Sequence, residues 1–212
     1  MTTKRSLIRR ATAVAAAATA ALVLAACGGN GDDSASGHNG HNAASPSAPS
    51  SASASAQQGG HNAADVAFAQ GMIPHHRQAV EMADLAATRA ESAGVKKLAG
   101  EIKKAQDPEI KTLSGWLTSW GEQVPAEGAG HEGHAMSGMM TAEEMKELES
   151  ASGKAFDTAF LTMMVKHHEG AVAMAKSEQA DGSYQPAKDM AGQIITSQSA
   201  EITRMNSLLG QS

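Results

Sequence analysis

The chain contains one segment twice. Displaced by 92 positions, Asp65–Leu117 aligns without a gap on Asp157–Leu209, and 18 of the 53 aligned pairs are identical. A sequence of this kind folds as two copies of one supersecondary unit, because neither copy can bury its apolar face alone. In the first half of the match, Asp65, Phe68, Met72, His75-His76, Ala79-Val80 and Met82-Ala83 recur as Asp157, Phe160, Met164, His167-His168, Ala171-Val172 and Met174-Ala175. In the second half, Ala99-Gly100, Ile102, Gln106, Glu109-Ile110 and Leu117 recur as Ala191-Gly192, Ile194, Gln198, Glu201-Ile202 and Leu209.

The repeated residues step by three and four, the spacing of one helical face. Ser92-Ala93-Gly94 in the first copy, and Asp181-Gly182-Ser183 with Pro186 in the second, are stop and turn signals, so each copy reads as a helical hairpin. Two hairpins make an all-α four-helix bundle, joined by a linker over 121–140, with a short extra helix after Thr141, where Thr141-x-x-Glu144 has the form of a capping box. No run of alternating β-branched and aromatic residues supports a sheet. Pro74 falls inside the first helix, where it removes a backbone hydrogen bond and should kink it. Lys166 occupies the aligned position, so the two copies need not have identical geometry.

The N-terminal residues point to export. Lys4, Arg5, Arg9 and Arg10 precede the apolar, Ala-rich stretch 11–26, the form of a secretion signal. It ends at Leu24-Ala25-Ala26-Cys27-Gly28, which resembles a bacterial lipobox; Cys27 is the chain's single Cys, so it has no disulfide partner and reads as a lipidation site. Two or more acyl chains hold a protein on a membrane, and no later segment has the apolar length of a transmembrane span. The expected divisions are a signal peptide over 1–26, a flexible Gly/Ser/Ala stalk over 27–62 and a helical domain over 63–212. Without the leader the chain carries 13 Lys and Arg against 22 Asp and Glu, a formal charge of −9, which makes nucleic acid an improbable partner.

The repeated face carries the chemistry. At about 100° per residue, with Met72 as zero, His75 falls near −60° and His76 near +40°, so all three share one sector. A thioether with two imidazoles is a soft-to-borderline donor set, suited to Cu(I) and to Ag(I) as its mimic, whereas Mg and Ca want oxygen. Met164, His167 and His168 repeat the set. Met82 and Met174 read as core packing. Glu109 and Glu201, each preceded by a Gln at i−3 (Gln106, Gln198), could ligate, could orient an imidazole N–H, or could lie on the surface, since spacing does not say how the hairpin is rotated. Asp65 and Asp157 read as helix N-terminal charges or caps. In the linker, His131, His134, Met136, Met139 and Met140 lie among Gly and Ser, the composition of a metal-capture loop. His131-Glu132-Gly133-His134 lacks the i, i+4 histidines of a zinc-protease helix.

The phrase Met72-Ile73-Pro74-His75-His76, with Ala79, Met82-Ala83, Gln106-x-x-Glu109-Ile110 and Trp116-Leu117, resembles the bacterial domain of unknown function three-hundred-and-five, over residues 63–210. The resemblance implies a ferritin-like four-helix fold in exported proteins, some of which bind copper or silver and contribute to copper tolerance. It also implies that Met72, His75, His76 and their counterparts Met164, His167 and His168 are copper ligands. Met163-Met164-Val165 and Lys166 depart from the pattern before the second His pair. The favoured reading is a lipid-anchored extracytoplasmic protein that captures or buffers Cu(I), a binder and not an enzyme. One alternative is a ferritin-like di-metal oxidase, which needs Glu-x-x-His pairs; no Glu stands three positions before any of the nine histidines. The other is a metal-free interaction module at the cell envelope.

Overall fold

The computed structural model describes residues 60–128 and 137–210. The expected signal peptide, Cys27 and nearly all of the stalk lie outside them. Five helices follow in order: α1 (Ala63–Arg89), α2 (Ala93–Trp120), α3 (Ala142–Ser150), α4 (Gly153–Asp181) and α5 (Gln185–Leu209). Among the described residues there is no strand, only a single bridge between Ala90 and Gly153. The fold is all-α, and none of these helices is long and apolar enough to cross a membrane.

Local chemistry sets the helix ends. The Asn62 side chain accepts from the N–H groups of Ala64 and Asp65, while Asp65 accepts from the Asn62 N–H, closing a capping box at the start of α1. Thr141 and Glu144 form the expected box on α3. Ser92, anticipated in a turn, caps α2, so that the first hairpin turns over Ala90–Ser92 and Gly94 lies within the helix. Gly121, at φ 76°, ends α2 in the left-handed conformation that glycine adopts without a Cβ clash. α1 runs unbroken through Pro74.

α1 packs on α2 and α4 on α5, as the repeat requires, and the hairpins meet where α1 packs on α4; α3 lies against both of these central helices. The arrangement is reciprocal. Asp65 on α1 accepts from the backbone N–H groups of Ser183 and Tyr184 in the turn of the second hairpin. Asp157 on α4 accepts from those of Glu91 and Ser92 in the turn of the first. The four turn residues are themselves related by the 92-residue displacement, so each copy's aspartate holds the other copy's turn across an approximate two-fold axis. Asp157, expected as a charge or cap at the start of its own helix, instead accepts from the turn that leads into α2, whose N-cap is Ser92.

The second copy adds one buried acid. Glu178 is 1% exposed, faces Asp65, and neither of its oxygens finds a hydrogen bond of good geometry. Its aligned position is Ala86. Burial, and then the Asp65 carboxylate beside it, push the Glu178 carboxyl up to about 8; Lys188 opposes this and Asp181 adds to it. Burial also works against the Asp65 carboxylate, but the Glu178 carboxyl and the N–H groups of Asn62, Tyr184 and Ser183 outweigh it and hold Asp65 below its ordinary value.

Two outcomes are expected. Asp157→Ala strips two turn N–H groups of a charged acceptor and should cost about 2–3 kcal/mol in denaturant unfolding; a loss below about 0.5 kcal/mol would show that the crossed cap does not hold the hairpins. Glu178 keeps its proton in the folded chain well above its ordinary 4.5, so it favours folding most below that pH, and the contribution is lost as pH rises toward about 8. Between these limits the melting temperature of the parent should fall relative to that of Glu178→Gln, and parallel curves would contradict a proton held in the Asp65–Glu178 pair.

Candidate metal site

The buried apolar residues form two clusters with a polar layer between them along the helices. One cluster takes Phe68, Met72 and Ile73 of α1, the end of α2 (Leu113, Leu117), Ala171 and Ala175 of α4, and the first half of α5. The other takes Met82 and Ala86 of α1, the start of α2 (Leu98, Ile102), and Phe156, Phe160 and Met164 of α4. Between them stand His75, His76, Gln106, His167, His168 and Gln198, all buried. The repeat creates this layer: equivalent residues of antiparallel copies meet where the hairpins cross.

Adjacent histidines on a helix diverge by about 100°, and the two imidazoles of each pair accordingly have different neighbours. The first of each pair faces the other hairpin, and the rings of His75 and His167 stand 3.8 Å apart, centroid to centroid, tilted by 44°. The second faces its own hairpin partner. His76 Nε2 lies 2.6 Å from Glu109 Oε2, and His168 Nε2 lies 2.8 Å from Glu201 Oε2. A carboxylate oxygen only accepts, so both Nε2 atoms carry hydrogen and donate. Both glutamates are 21% exposed, which keeps their charge partly hydrated at the rim of the layer. Of the three roles left open by spacing, Glu109 and Glu201 take that of imidazole-orienting acceptors.

The layer contains more polar atoms than it satisfies. The Nδ1 atoms of all four histidines, Nε2 of His167, and Oε1 of Gln106 and of Gln198 are buried without a partner. Burial and then the charge of His76 bring His75 down to about 3, although a hydrogen bond to Ser137 opposes this. Burial, then His75, hold His167 well below its ordinary value, although the backbone of His75 opposes this. These two imidazoles are neutral at pH 7 and each keeps a lone pair. A buried lone pair facing no donor costs about 1–3 kcal/mol, and a group of them in one layer calls for a reason beyond packing.

The remaining expected residues divide. Met72 and Met164 are fully buried on opposite sides of the histidine layer, one in each apolar cluster. Met82 is buried in the cluster of Met164, and Met174 packs on that of Met72. In the linker, Met140 is buried within the core, while Met139 is half-buried. His131, His134 and Met136 lie outside the described residues. Among those described, no three His, Cys, Asp or Glu side chains converge as a metal-holding group. The described residues thus bring His75 and His167 together and place Met72 and Met164 in the apolar clusters on either side of them.

Gln78 and Gly170 carried no weight in the sequence reading, yet both hold the linker against the site. Gln78 bonds both ways to the backbone of Met140, and Gly170 packs against Ser137 and Gly138. They are aligned with each other, and a Gln-to-Gly mismatch inside an otherwise matched helical face was the available signal.

Comparison with known proteins places these features in a family. No curated protein matches the chain. A DUF305 protein of Streptomyces coelicolor has a crystal structure 34% identical to the chain, with a TM-score of 0.64 over 70% of this chain and 91% of that one. A DUF305 fragment from Deinococcus radiodurans is 28% identical, with a TM-score of 0.64 over 71% and 98%. CopM in its Cu(II)-bound form is 35% identical, with a TM-score of 0.62 over 69% and 96%, and CopM is also solved in Cu(I)-bound and Ag-bound forms. The family profile named domain of unknown function (DUF305) matches residues 65–209, the two hairpins together with the linker between them, and the chain belongs to that family.

Proposed function

We propose that the chain is a lipid-anchored, extracytoplasmic protein that captures and buffers Cu(I) and so contributes to copper tolerance. One observation carries this reading: the histidines of both copies share one buried layer in which five ring nitrogens have no partner. A protein that used these histidines for packing alone would bear that desolvation cost for nothing, whereas a metal-binding protein recovers it when a soft cation enters. His75, His76, His167 and His168 are the proposed ligands, Met72 and Met164 their thioether partners, and Glu109 and Glu201 the acceptors that orient His76 and His168. The copper and silver forms of CopM lend family-level support.

We read the four long helices as a ferritin-like four-helix bundle, with residues 1–26 as signal peptide, Cys27 as the lipidated residue and 27–62 as the stalk. The secreted designation of the Streptomyces coelicolor relative agrees with export. His131, His134, Met136 and Met139 are the proposed donors of a capture tract in the linker, without Met140, which is buried in the core. Ag(I) is bound as a mimic of Cu(I).

The experiment is a Cu(I) titration against a competing chelator, using parent protein, a variant with all four layer histidines changed to Ala, and a deletion of 131–136, which leaves Ser137–Met140 in place. The parent and the deletion should retain the tight site and the histidine variant should lose it, with helical content followed by circular dichroism. Tight binding that survives in the histidine variant but disappears with the deletion would move the site to the linker.

A second measurement separates function from packing. His167 is fully buried with both ring nitrogens unpaired, so His167→Leu should stabilise the metal-free protein by about 1–3 kcal/mol while weakening Cu(I) binding at least tenfold. Destabilisation with unchanged affinity would make His167 a structural residue.

A further inference from the structure

The end of the inter-repeat linker crosses the bundle at the level of the histidines, in contact with both central helices. The Ser137 carbonyl lies 3.3 Å from His75 Nε2. Gly138, at φ 87°, approaches α4 so closely that a Cβ would stand 2.7 Å from the Lys166 carbonyl and 2.9 Å from Gly170 Cα. A Cβ on Gly170 would in turn strike the Ser137 carbonyl. One step further, the buried Gln78 side chain donates to the Met140 carbonyl at 2.9 Å and accepts from the Met140 N–H at 2.7 Å. Lys166, whose carbonyl faces Gly138, pairs through Nζ with Glu144 Oε1 at 3.0 Å, tying α4 to the helix that follows the crossing.

These contacts fall where the two copies disagree. Gln78 and Gly170 are aligned positions, as are Pro74 and Lys166. In one copy position 78 supplies a clamp for the linker backbone, and in the other the equivalent position supplies a gap that admits it. One linker cannot obey a two-fold axis, so the positions it touches have diverged while the histidines have not. Its effect on them is unequal. His75 Nε2 has the Ser137 carbonyl, whereas the partner imidazole of His167 has no linker contact: neither of its nitrogens meets a partner at full hydrogen-bond geometry, and the backbone group beside it is that of His75.

We propose that Ser137–Met140 is a positioning strap that makes the two central imidazoles inequivalent: it fixes the hydrogen of His75 on Nε2, leaving Nδ1 as the one atom His75 can offer a metal. A carbonyl oxygen only accepts, so the bond requires Nε2–H, and the Nδ1 lone pair is buried and unpartnered. His76 and His168 also carry hydrogen on Nε2, by a different route, through Glu109 and Glu201. His167 has neither a linker carbonyl nor a glutamate to fix its tautomer in this way. The use of this asymmetry rests on the copper reading above; the tautomer itself does not.

The test is nuclear magnetic resonance of the full chain, solubilised in detergent, metal-free and labelled with ¹⁵N-histidine. His75 should appear as the Nε2–H tautomer with a slowly exchanging Hε2. Gly170→Ala, which pushes Ser137 away, should speed exchange of that hydrogen by about tenfold, the equilibrium equivalent of one hydrogen bond. The Hε2 atoms of His76 and His168 should not respond. Gln78→Ala releases the strap from the α1 side without adding an atom to α4 and should act in the same direction. Adding Ag(I) to the parent should then move Nδ1 of His75 and not its Nε2. The proposal is overturned if His75 carries its hydrogen on Nδ1, if Hε2 exchange is unchanged while the amides of 137–140 become exposed in both variants, or if Ag(I) moves Nε2 of His75. An Nε2–H tautomer that depends on the strap, in a protein whose histidines ignore Ag(I), would uphold the strap and overturn the copper reading.

Discussion

Everything in this fold is arranged around a buried polar layer that crosses an otherwise apolar core. Burying four imidazoles and two carboxamides with unpaired atoms is unfavourable, and helix pairs have easier ways to pack. What maintains the layer is the reciprocity of the hairpins. Once α1 meets α4 with one copy inverted relative to the other, the first histidine of each pair must face its counterpart and the second must face its own partner helix. The crossed aspartates enforce the same register from the ends of the bundle, since each holds the other hairpin's turn. Sliding one hairpin against the other would unseat both aspartate contacts and the histidine layer together.

Departures from symmetry are as informative as the symmetry. Glu178 has no acidic counterpart, and it makes the end of the bundle near Asp65 electrostatically different from the end near Asp157. Gln78 and Gly170 differ because a single linker passes between them. A duplicated unit starts with equivalent surfaces, and a segment that can touch only one side of a two-fold axis makes them unequal. In this chain that inequality reaches the histidine pair, where one imidazole meets the linker carbonyl and the other does not.

Much of this was legible in the residues. The spacing of Phe68, Met72, His75, Ala79 and Met82 defines a helical face whatever surrounds it, and its recurrence 92 positions later requires a second such face. The capping signals at Thr141 and Glu144 act over one turn and were legible for the same reason. Glu109 and Glu201 were not assignable, because a helix surface residue and an imidazole partner have identical spacing and differ only in rotation of the hairpin. Nor could Asp157 be known to hold a turn 65 residues away in the chain, since that contact exists only after the hairpins dock.

The sequence by itself determined the repeat, the helical hairpins, the clustering of Met and His on one face and the family to which the chain belongs, because periodicity and identity at fixed spacing are properties of a linear string. Tertiary structure alone decided which imidazole meets which, that Glu109 and Glu201 hold His76 and His168, and that the linker closes against one copy and not equally against the other. Those facts depend on the rotation and relative placement of helices, which are set by packing between segments far apart in the chain and leave no periodic trace in it.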